Sequence, residues 1–212
     1  MTLTTNTRYT QFGCGLCAPT QWLNFDASPT LRLQKLPVVG KYVPAGPFGK
    51  FPLNVAYGDI VKGLPISDNS VELLYCSHVL EHLSLSEFRT ALQNCHRVLR
   101  PNGIFRLVVP DLEFMARHYV NSTATEAALE FMQETYLGKK ERQRSFAAFL
   151  KEWLGGSHHL WMWDYKSLAN ELNQVGFTDI RRAFYGDSGT ALFDQVEDPE
   201  RWEKALGIQC RK

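Results

Sequence analysis

Residues 57–111 read YGDIVKGLPISDNSVELLYCSHVLEHLSLSEFRTALQNCHRVLRPNGIFRLVVPD. An apolar run ends in an acid at Tyr57-Gly-Asp59-Ile60, and a loop with Gly63, Pro65 and Ser67 follows. Val71 to Ser77 has the composition of a strand. His78-Val-Leu-Glu81-His82 is a polar turn at its end. Ser84 and Glu87 have capping-box spacing, and Phe88, Ala91, Leu92, Cys95, Val98 and Leu99 recur at helical offsets on one apolar face. Pro101 and Gly103 are expected to end that helix. Ile104 to Val109 is almost wholly apolar, as befits a strand buried on both faces of a parallel sheet. Strand, helix and strand with polar residues at the strand ends is how an open α/β sheet forms a cofactor crevice. The stretch therefore indicates an α/β fold and a nucleoside-bearing ligand.

Upstream, Tyr9 to Phe12 and Trp22 to Asp26 read as strands, as does Leu53 to Tyr57. Between the last two, five prolines and three glycines mark a connection (residues 29–52) with room for one helical turn near Leu31 to Leu36. Downstream, residues 112–154 look helical, with breaks near Asn121-Ser122 and Gly138. Asp164 is a good N-cap for a helix through Leu168 and Leu172 that stops at Gly176. Phe177 to Tyr185 and Ile208 to Arg211 complete the strands. The alternation predicts a single domain over residues 1–212: a Rossmann-like three-layer sandwich with a mainly parallel sheet of seven-strand type. Residues 112–157 are expected to form a helical lid or insertion.

Gly13-Cys14-Gly15-Leu-Cys-Ala18 follows the first strand and fits G-x-G-x-x-G/A, in which glycines let the backbone approach a ligand. Asp26 at the tip of the second strand can accept both ribose hydroxyls. Asp59 at the third tip can take the adenine amino group while Ile60 covers the ring. Yet Asp26 lies eleven residues past Gly15, whereas a dinucleotide fold places its acid about 20 residues on. Pro19 also stands where a helix interior would be. Nine residues, Gly13 to Gln21, can return along a strand without a helix, since extended chain spans roughly 30 Å over that length. The first crossover helix is thus expected to be missing, and with it the dipole that holds a pyrophosphate. A cofactor without phosphates is favoured over NAD.

Bulk composition narrows the function classes. The 212 residues carry a formal charge of +1, with 44% apolar and 12% aromatic residues, so the chain can bury a sizeable core and has no basic excess for nucleic acid. No apolar run is long enough to span a membrane, and the first residues lack a signal-peptide core. Five scattered cysteines fit a reducing cytoplasm better than a disulfide scaffold.

These motifs together resemble the class I S-adenosylmethionine-dependent methyltransferases, and among them a small bacterial, type 11-like branch. The resemblance rests on Phe12-Gly-Cys-Gly15, Leu23-Asn-Phe-Asp26, Gly58-Asp-Ile60, Leu64-Pro65, Ser77-His-Val-Leu-Glu-His82, Arg97-Val-Leu-Arg-Pro-Asn-Gly103 and Val109-Pro-Asp-Leu112, with His159-Leu-Trp-Met-Trp-Asp164 further on. It covers residues 9–112 and, less closely, 157–189. The missing crossover helix and Asn102, where glycine is common, depart from the wider class. The resemblance implies S-adenosylmethionine as cofactor. Gly13, Cys14 and Gly15 would then line its methionine and ribose portion, Asp26 would hold the ribose, and Asp59 and Ile60 the adenine. Ser77 and His78 would face the sulfonium methyl.

His78 is the leading candidate for a catalytic base, because an unperturbed imidazole titrates near 6.5; the alternative is a hydrogen bond to a loop or to the cofactor carboxylate. His78-x-x-Glu81-His82 is also the H-x-x-E-H signature of inverted zincins. With no third ligand placed by the sequence, no metal is expected. Cys14 and Cys17 form a C-x-x-C, but Pro19 leaves little room for the helix start that would activate a thiol, and packing within the loop is expected. Lys139, Lys140, Arg142 and Arg144 precede Phe146, Phe149, Leu150, Trp153 and Leu154. They read as a solvated face and a core face, or as a lid or surface patch that meets an anionic or lipid-linked acceptor, with weak contact to a membrane surface. His158, His159, Trp161 and Trp163 read as packing or as an acceptor-pocket wall. The function expected is methyl transfer to a small-molecule or glycan acceptor, at oxygen, with no nucleic acid involved. The alternative is a non-catalytic nucleoside-binding scaffold.

Overall fold

The computed structural model describes residues 8–37, 40–43, 49–138 and 158–212. Seven strands form one sheet: β1 (Tyr9–Phe12), β2 (Leu23–Asp26), β3 (Val55–Tyr57), β4 (Val71–Ser77), β5 (Leu99–Pro110), β6 (Thr178–Ala183) and β7 (Ala205–Arg211), in the order β3-β2-β1-β4-β5-β7-β6. The first five run parallel, and β7 inserts antiparallel between β5 and β6. The helices are α1 (Pro29–Gln34), α2 (Leu85–Val98), α3 (Leu112–Asn121), α4 (Ala127–Glu134) and α5 (Tyr165–Val175). A single α/β domain with a mainly parallel seven-stranded sheet is what the alternation predicts. Among the described residues no helix is long and apolar enough to cross a membrane.

The period-2 pattern of the strands divides the core. Leu74 and Cys76 of β4, with Phe105, Leu107 and Val109 of β5, face Phe88, Ala91, Leu92, Cys95 and Val98 of α2 and Leu168 and Leu172 of α5. Their neighbours Leu73, Tyr75 and Val108 point to the other face, where Trp22, Phe193 and Val196 cover them. That second layer is built by loops and by single 3-10 turns within residues 186–204, among them Phe193–Gln195 and Pro199–Trp202. It is anchored by Arg106 of β5, which is fully buried, bonds Glu197 and Asp187, and stacks under Trp202 at 4.6 Å.

The first crossover holds no helix, as the nine-residue span requires. Buried side chains of the two strands take over the bonding of its backbone. Gln11 Nε2 donates to the Cys17 carbonyl (2.8 Å) and to Asn24 Oδ1 (2.7 Å), and Asn24 Nδ2 donates to the carbonyls of Pro19 (3.1 Å) and Trp22 (2.9 Å).

Both strong helices follow their local signals. Ser84 and Glu87 form the capping box of α2, Asp164 caps Ser167 N, and Gly176 ends α5 in the left-handed region. One local expectation is corrected. Pro101 and Gly103 do not terminate the helix, which already ends at Val98; they lie inside β5. Asn102 takes φ +62, its N–H donates to the Lys212 carbonyl, and Lys212 N–H donates to Gly103. Pairing with the distant end of β7 thus absorbs the turn as a break in register between Val71 and Leu73.

Candidate active site

Four neighbouring parallel strands, β3, β2, β1 and β4, end on the same edge of the sheet, and their tips bring together Asp59, Asp26, the glycine loop and Ser77–His78. Gly13 takes φ +64, and a Cβ there would lie 2.1 Å from Val79 Cγ2, so the loop is pressed against the turn after β4. Gly15 takes φ +54, and a Cβ there would meet nothing within 4 Å. Cys14 N donates to the Phe25 carbonyl (3.1 Å), and Gly15 N to Asp26 Oδ2 (3.0 Å). Asp26 is buried, and its Oδ1 accepts from Ser28 N at 2.7 Å. Each carboxylate oxygen keeps acceptor capacity after these bonds.

Asp59 Oδ1 accepts from Val61 N (3.0 Å), and Lys62 Nζ pairs with Oδ2 at 3.2 Å. Ile60 is buried with Leu64 and Phe88 in the core. Ser77 is buried and its hydroxyl bonds His78 Nδ1 at 3.0 Å. His78 takes φ +54, a strained conformation for a non-glycine residue, and its N–H donates to the Val108 carbonyl. Burial, then the Arg201 guanidinium and the neighbouring His159 and His82, lower its pKa to about 4. The argument from an unperturbed imidazole therefore does not apply: the ring is neutral at neutral pH, free to accept a proton but weakly basic.

Arg201 carries no sequence signal, standing alone in Pro199-Glu-Arg-Trp. Its Nη1 donates to the Ser77 carbonyl (3.0 Å), and its charge acts on Cys17 and His78, so the guanidinium stands between the glycine loop and the tip of β4. Asn24 was within reach of the Asn-x-Asp strand end; its role is to hold the loop.

The turn after β4 is a 3-10 turn, Leu80–His82, and α2 starts only at Leu85, so His78 and His82 do not share a helix face. Residues 158–161 dock on this turn. Leu160 N and Trp161 N donate to the Glu81 carbonyl (2.8 and 3.1 Å), and His82 Nδ1 donates to the His158 carbonyl (3.1 Å). The docking brings His159 to 5.2 Å from His82, ring to ring. The Glu81 side chain is fully buried, neither oxygen has a hydrogen-bond partner, and burial pushes its pKa up to about 8. Trp163 is core, with its ring centroid 4.2 Å from that of Phe88, while Trp161 is exposed.

Cys14 is buried and Cys17 exposed, both as free thiols. Burial raises both, and Asp26 helps push Cys14 up to about 12. Such thiols are poor nucleophiles, which argues against redox chemistry at the C-x-x-C. The basic and aromatic segment from Lys139 to Leu154 lies outside the described residues.

Residues 10–107 match a family model described as a methyltransferase domain, of type 11. A comparison with curated protein sequences finds no match. Among solved structures, a SAM-dependent methyltransferase from Archaeoglobus fulgidus superposes with a TM-score of 0.50 at 14% identity, over 97% of this chain and 86% of that one. A SAM-dependent methyltransferase from Thermotoga maritima gives 0.53 at 15% identity, over 97% and 82%. At such identities the likeness speaks for the fold, and the domain match speaks for the residues it covers. Residues 10–107 carry a methyltransferase domain of type 11, in a chain whose fold is that of SAM-dependent methyltransferases.

Proposed function

We propose that the chain transfers the methyl group of S-adenosylmethionine to an oxygen of a small-molecule or glycan acceptor. The observation that carries this reading is the line of four adjacent strand tips bearing Asp59, Asp26, the glycine loop and Ser77–His78. In it Gly13, Cys14 and Gly15 line the methionine and ribose portion, with the open space beside Gly15 receiving the ligand. Asp26 accepts from the ribose hydroxyls with its remaining lone pairs. Asp59 binds the adenine amino group, and Ile60 supports the ring from the core beneath. Arg201 is added to this set: its planar fork suits the methionine carboxylate, and its place between the loop and β4 supports that role.

When bound, the cofactor would supply an electrophilic methyl group on a sulfonium, with the neutral thioether as the leaving group. The protein aligns the acceptor, and alignment can be worth roughly 7–11 kcal/mol. His78, neutral at neutral pH, takes the hydroxyl proton at Nε2, since Nδ1 faces the Ser77 hydroxyl. Residues 112–138, the described part of the expected lid, lie over the acceptor in this reading. Phe114, Tyr119 and Val120 of α3 and Leu129 and Met132 of α4 stand exposed, in keeping with that role.

Calorimetric titration with S-adenosylhomocysteine and NAD, followed by turnover of methyl-labelled cofactor against hydroxyl acceptors, tests the proposal. Binding of the first ligand alone, with label reaching oxygen, is expected. Binding of NAD instead would sink the cofactor reading, and cofactor binding without transfer to any acceptor would favour the scaffold. His78→Ala should keep S-adenosylhomocysteine affinity and lose about 10²–10⁴-fold in turnover; undiminished turnover removes the base role.

A further inference from the structure

We infer that Glu81, His82 and His159 form a binding site for a divalent transition metal, zinc by preference, beside the methyl-transfer end of the cleft. One ligand atom from each side chain lies within 4.8 Å of the others, and His82 Nε2 stands 3.9 Å from Glu81 Oε1. Two imidazoles and one carboxylate are a ligand set that zinc uses where one position is left open for water or substrate. With metal–ligand bonds of 2.0–2.2 Å, tetrahedral ligands stand about 3.3–3.5 Å apart, so side-chain rotation of about an ångström closes the site.

Three further features point the same way. His82 Nδ1 faces the His158 carbonyl, which can only accept, so the ring proton resides there and the lone pair is on Nε2, towards Glu81. A histidine held through its other nitrogen by a backbone carbonyl is the usual arrangement behind a metal ligand. His159 Nδ1 is buried with no hydrogen-bond partner. The Glu81 carboxyl is wholly buried with both oxygens unpartnered, an arrangement that is costly for a charged or a neutral carboxyl. A proton relieves it only in part: after a similar rotation it pairs one Glu81 oxygen with His82 Nε2 and leaves the other oxygen and His159 Nδ1 without a partner. A cation satisfies all three side chains at once.

The sequence withheld this site because His78 and His82 lacked a third ligand. The fold supplies one from 77 residues beyond His82 and replaces His78 by Glu81. A metal here would put a Lewis acid close to His78, where it could polarise an acceptor oxygen; that role, unlike the binding, rests on the methyl-transfer reading.

The test uses the full chain, untagged and stripped with chelator, titrated with zinc chloride by calorimetry and with cobalt chloride by visible absorption. One equivalent of zinc per chain and a cobalt spectrum of nitrogen and oxygen ligation are expected. Glu81→Gln and His159→Ala should each weaken zinc at least about 100-fold, since losing even an outer partner costs 10–100-fold. His118→Ala, outside the cluster on α3, should leave it unchanged. If Glu81→Gln does not fold by circular dichroism, His82→Asn replaces it under the same criterion. Less than one equivalent in the wild type, binding that survives the ligand substitutions, or a thiolate charge-transfer band placing the ion on cysteine would each overturn the site. Titrating the same preparations with S-adenosylhomocysteine separates the two readings: cofactor binding without metal rejects only the metal site, and metal binding without cofactor rejects only the methyl-transfer reading.

Discussion

Arg201 Nη1 donates to the carbonyl of Ser77 at 3.0 Å, joining residues 124 apart in the chain. The bond fastens the loop-built second layer to the tip of β4, where the strand gives way to His78. It also leaves a guanidinium beside the glycine loop, in the place proposed for the cofactor carboxylate. Hydrogen bonds to charged groups are worth about 1.5–3 kcal/mol. Arg201→Gln should therefore weaken S-adenosylhomocysteine about 10- to 100-fold in calorimetry, and decarboxylated S-adenosylmethionine should show little difference between wild type and variant. Equal losses for both ligands would make Arg201 a purely structural strut.

Asp26 couples fold and site in one side chain. Its two oxygens accept from Gly15 N at 3.0 Å and Ser28 N at 2.7 Å. Asp26→Ala leaves two backbone donors at the edge of a buried site without their acceptor, each costing about 1–3 kcal/mol. Urea denaturation should show a loss of that order, together with loss of S-adenosylhomocysteine binding. Asp26→Asn keeps one acceptor oxygen and should lose less stability but most of the cofactor affinity, because the amide nitrogen cannot accept from a ribose hydroxyl.

What could be read before the structure was local or periodic. Ser84 and Glu87, Asp164 and Gly176 mark their helix ends through contacts within four residues, and the apolar positions of α2 are the ones it buries. The short Gly15-to-Asp26 spacing foretold a crossover with no helix because chain length limits what can fit. The rest depends on contacts between remote segments. Asn102 enters β5 because the chain end pairs with it. His159 reaches Glu81 and His82 because residues 158–161 dock on the turn after β4. Arg106 gave no sign of its place, since a charged residue within an apolar strand does not announce the carboxylates of a layer 81 and 91 residues on.

Arg106 and Glu197 form an ion pair with both side chains fully buried. Arg106 also donates to Asp187 Oδ1 (2.8 Å), to Gln209 Oε1 (3.1 Å) and to the Phe184 carbonyl (2.6 Å). Removing Arg106 leaves Glu197 as an uncompensated buried charge and should cost about 3–5 kcal/mol, removing Glu197 leaves Arg106 its bond to Asp187 and should cost less, and replacing both by apolar residues is often neutral. Arg106→Met should show the large loss in urea denaturation, Glu197→Leu a smaller one, and the double variant should recover much of the first. Additive losses would mean that packing on Trp202, rather than the charge pair, holds this layer.

Arg89 of α2 clamps Glu171 of α5, with Nε to Oε2 at 2.9 Å and Nη2 to Oε1 at 2.7 Å. The hydrogen bonds from Arg89 lower the Glu171 pKa below its ordinary 4.5. A carboxylate whose pKa is depressed on folding adds stability that is fully present above the unfolded value and is lost as pH falls through the folded one. Chemical denaturation of wild type and Arg89→Leu should therefore differ at pH 7, and the difference should shrink as pH falls from about 4.5 through the lowered value. Salt should reduce it only in part, because Glu171 is nearly buried while Arg89 is half exposed. A difference that stays constant down to pH 2 would show that Arg89 stabilises the helix pair through its aliphatic stem instead of through its charge.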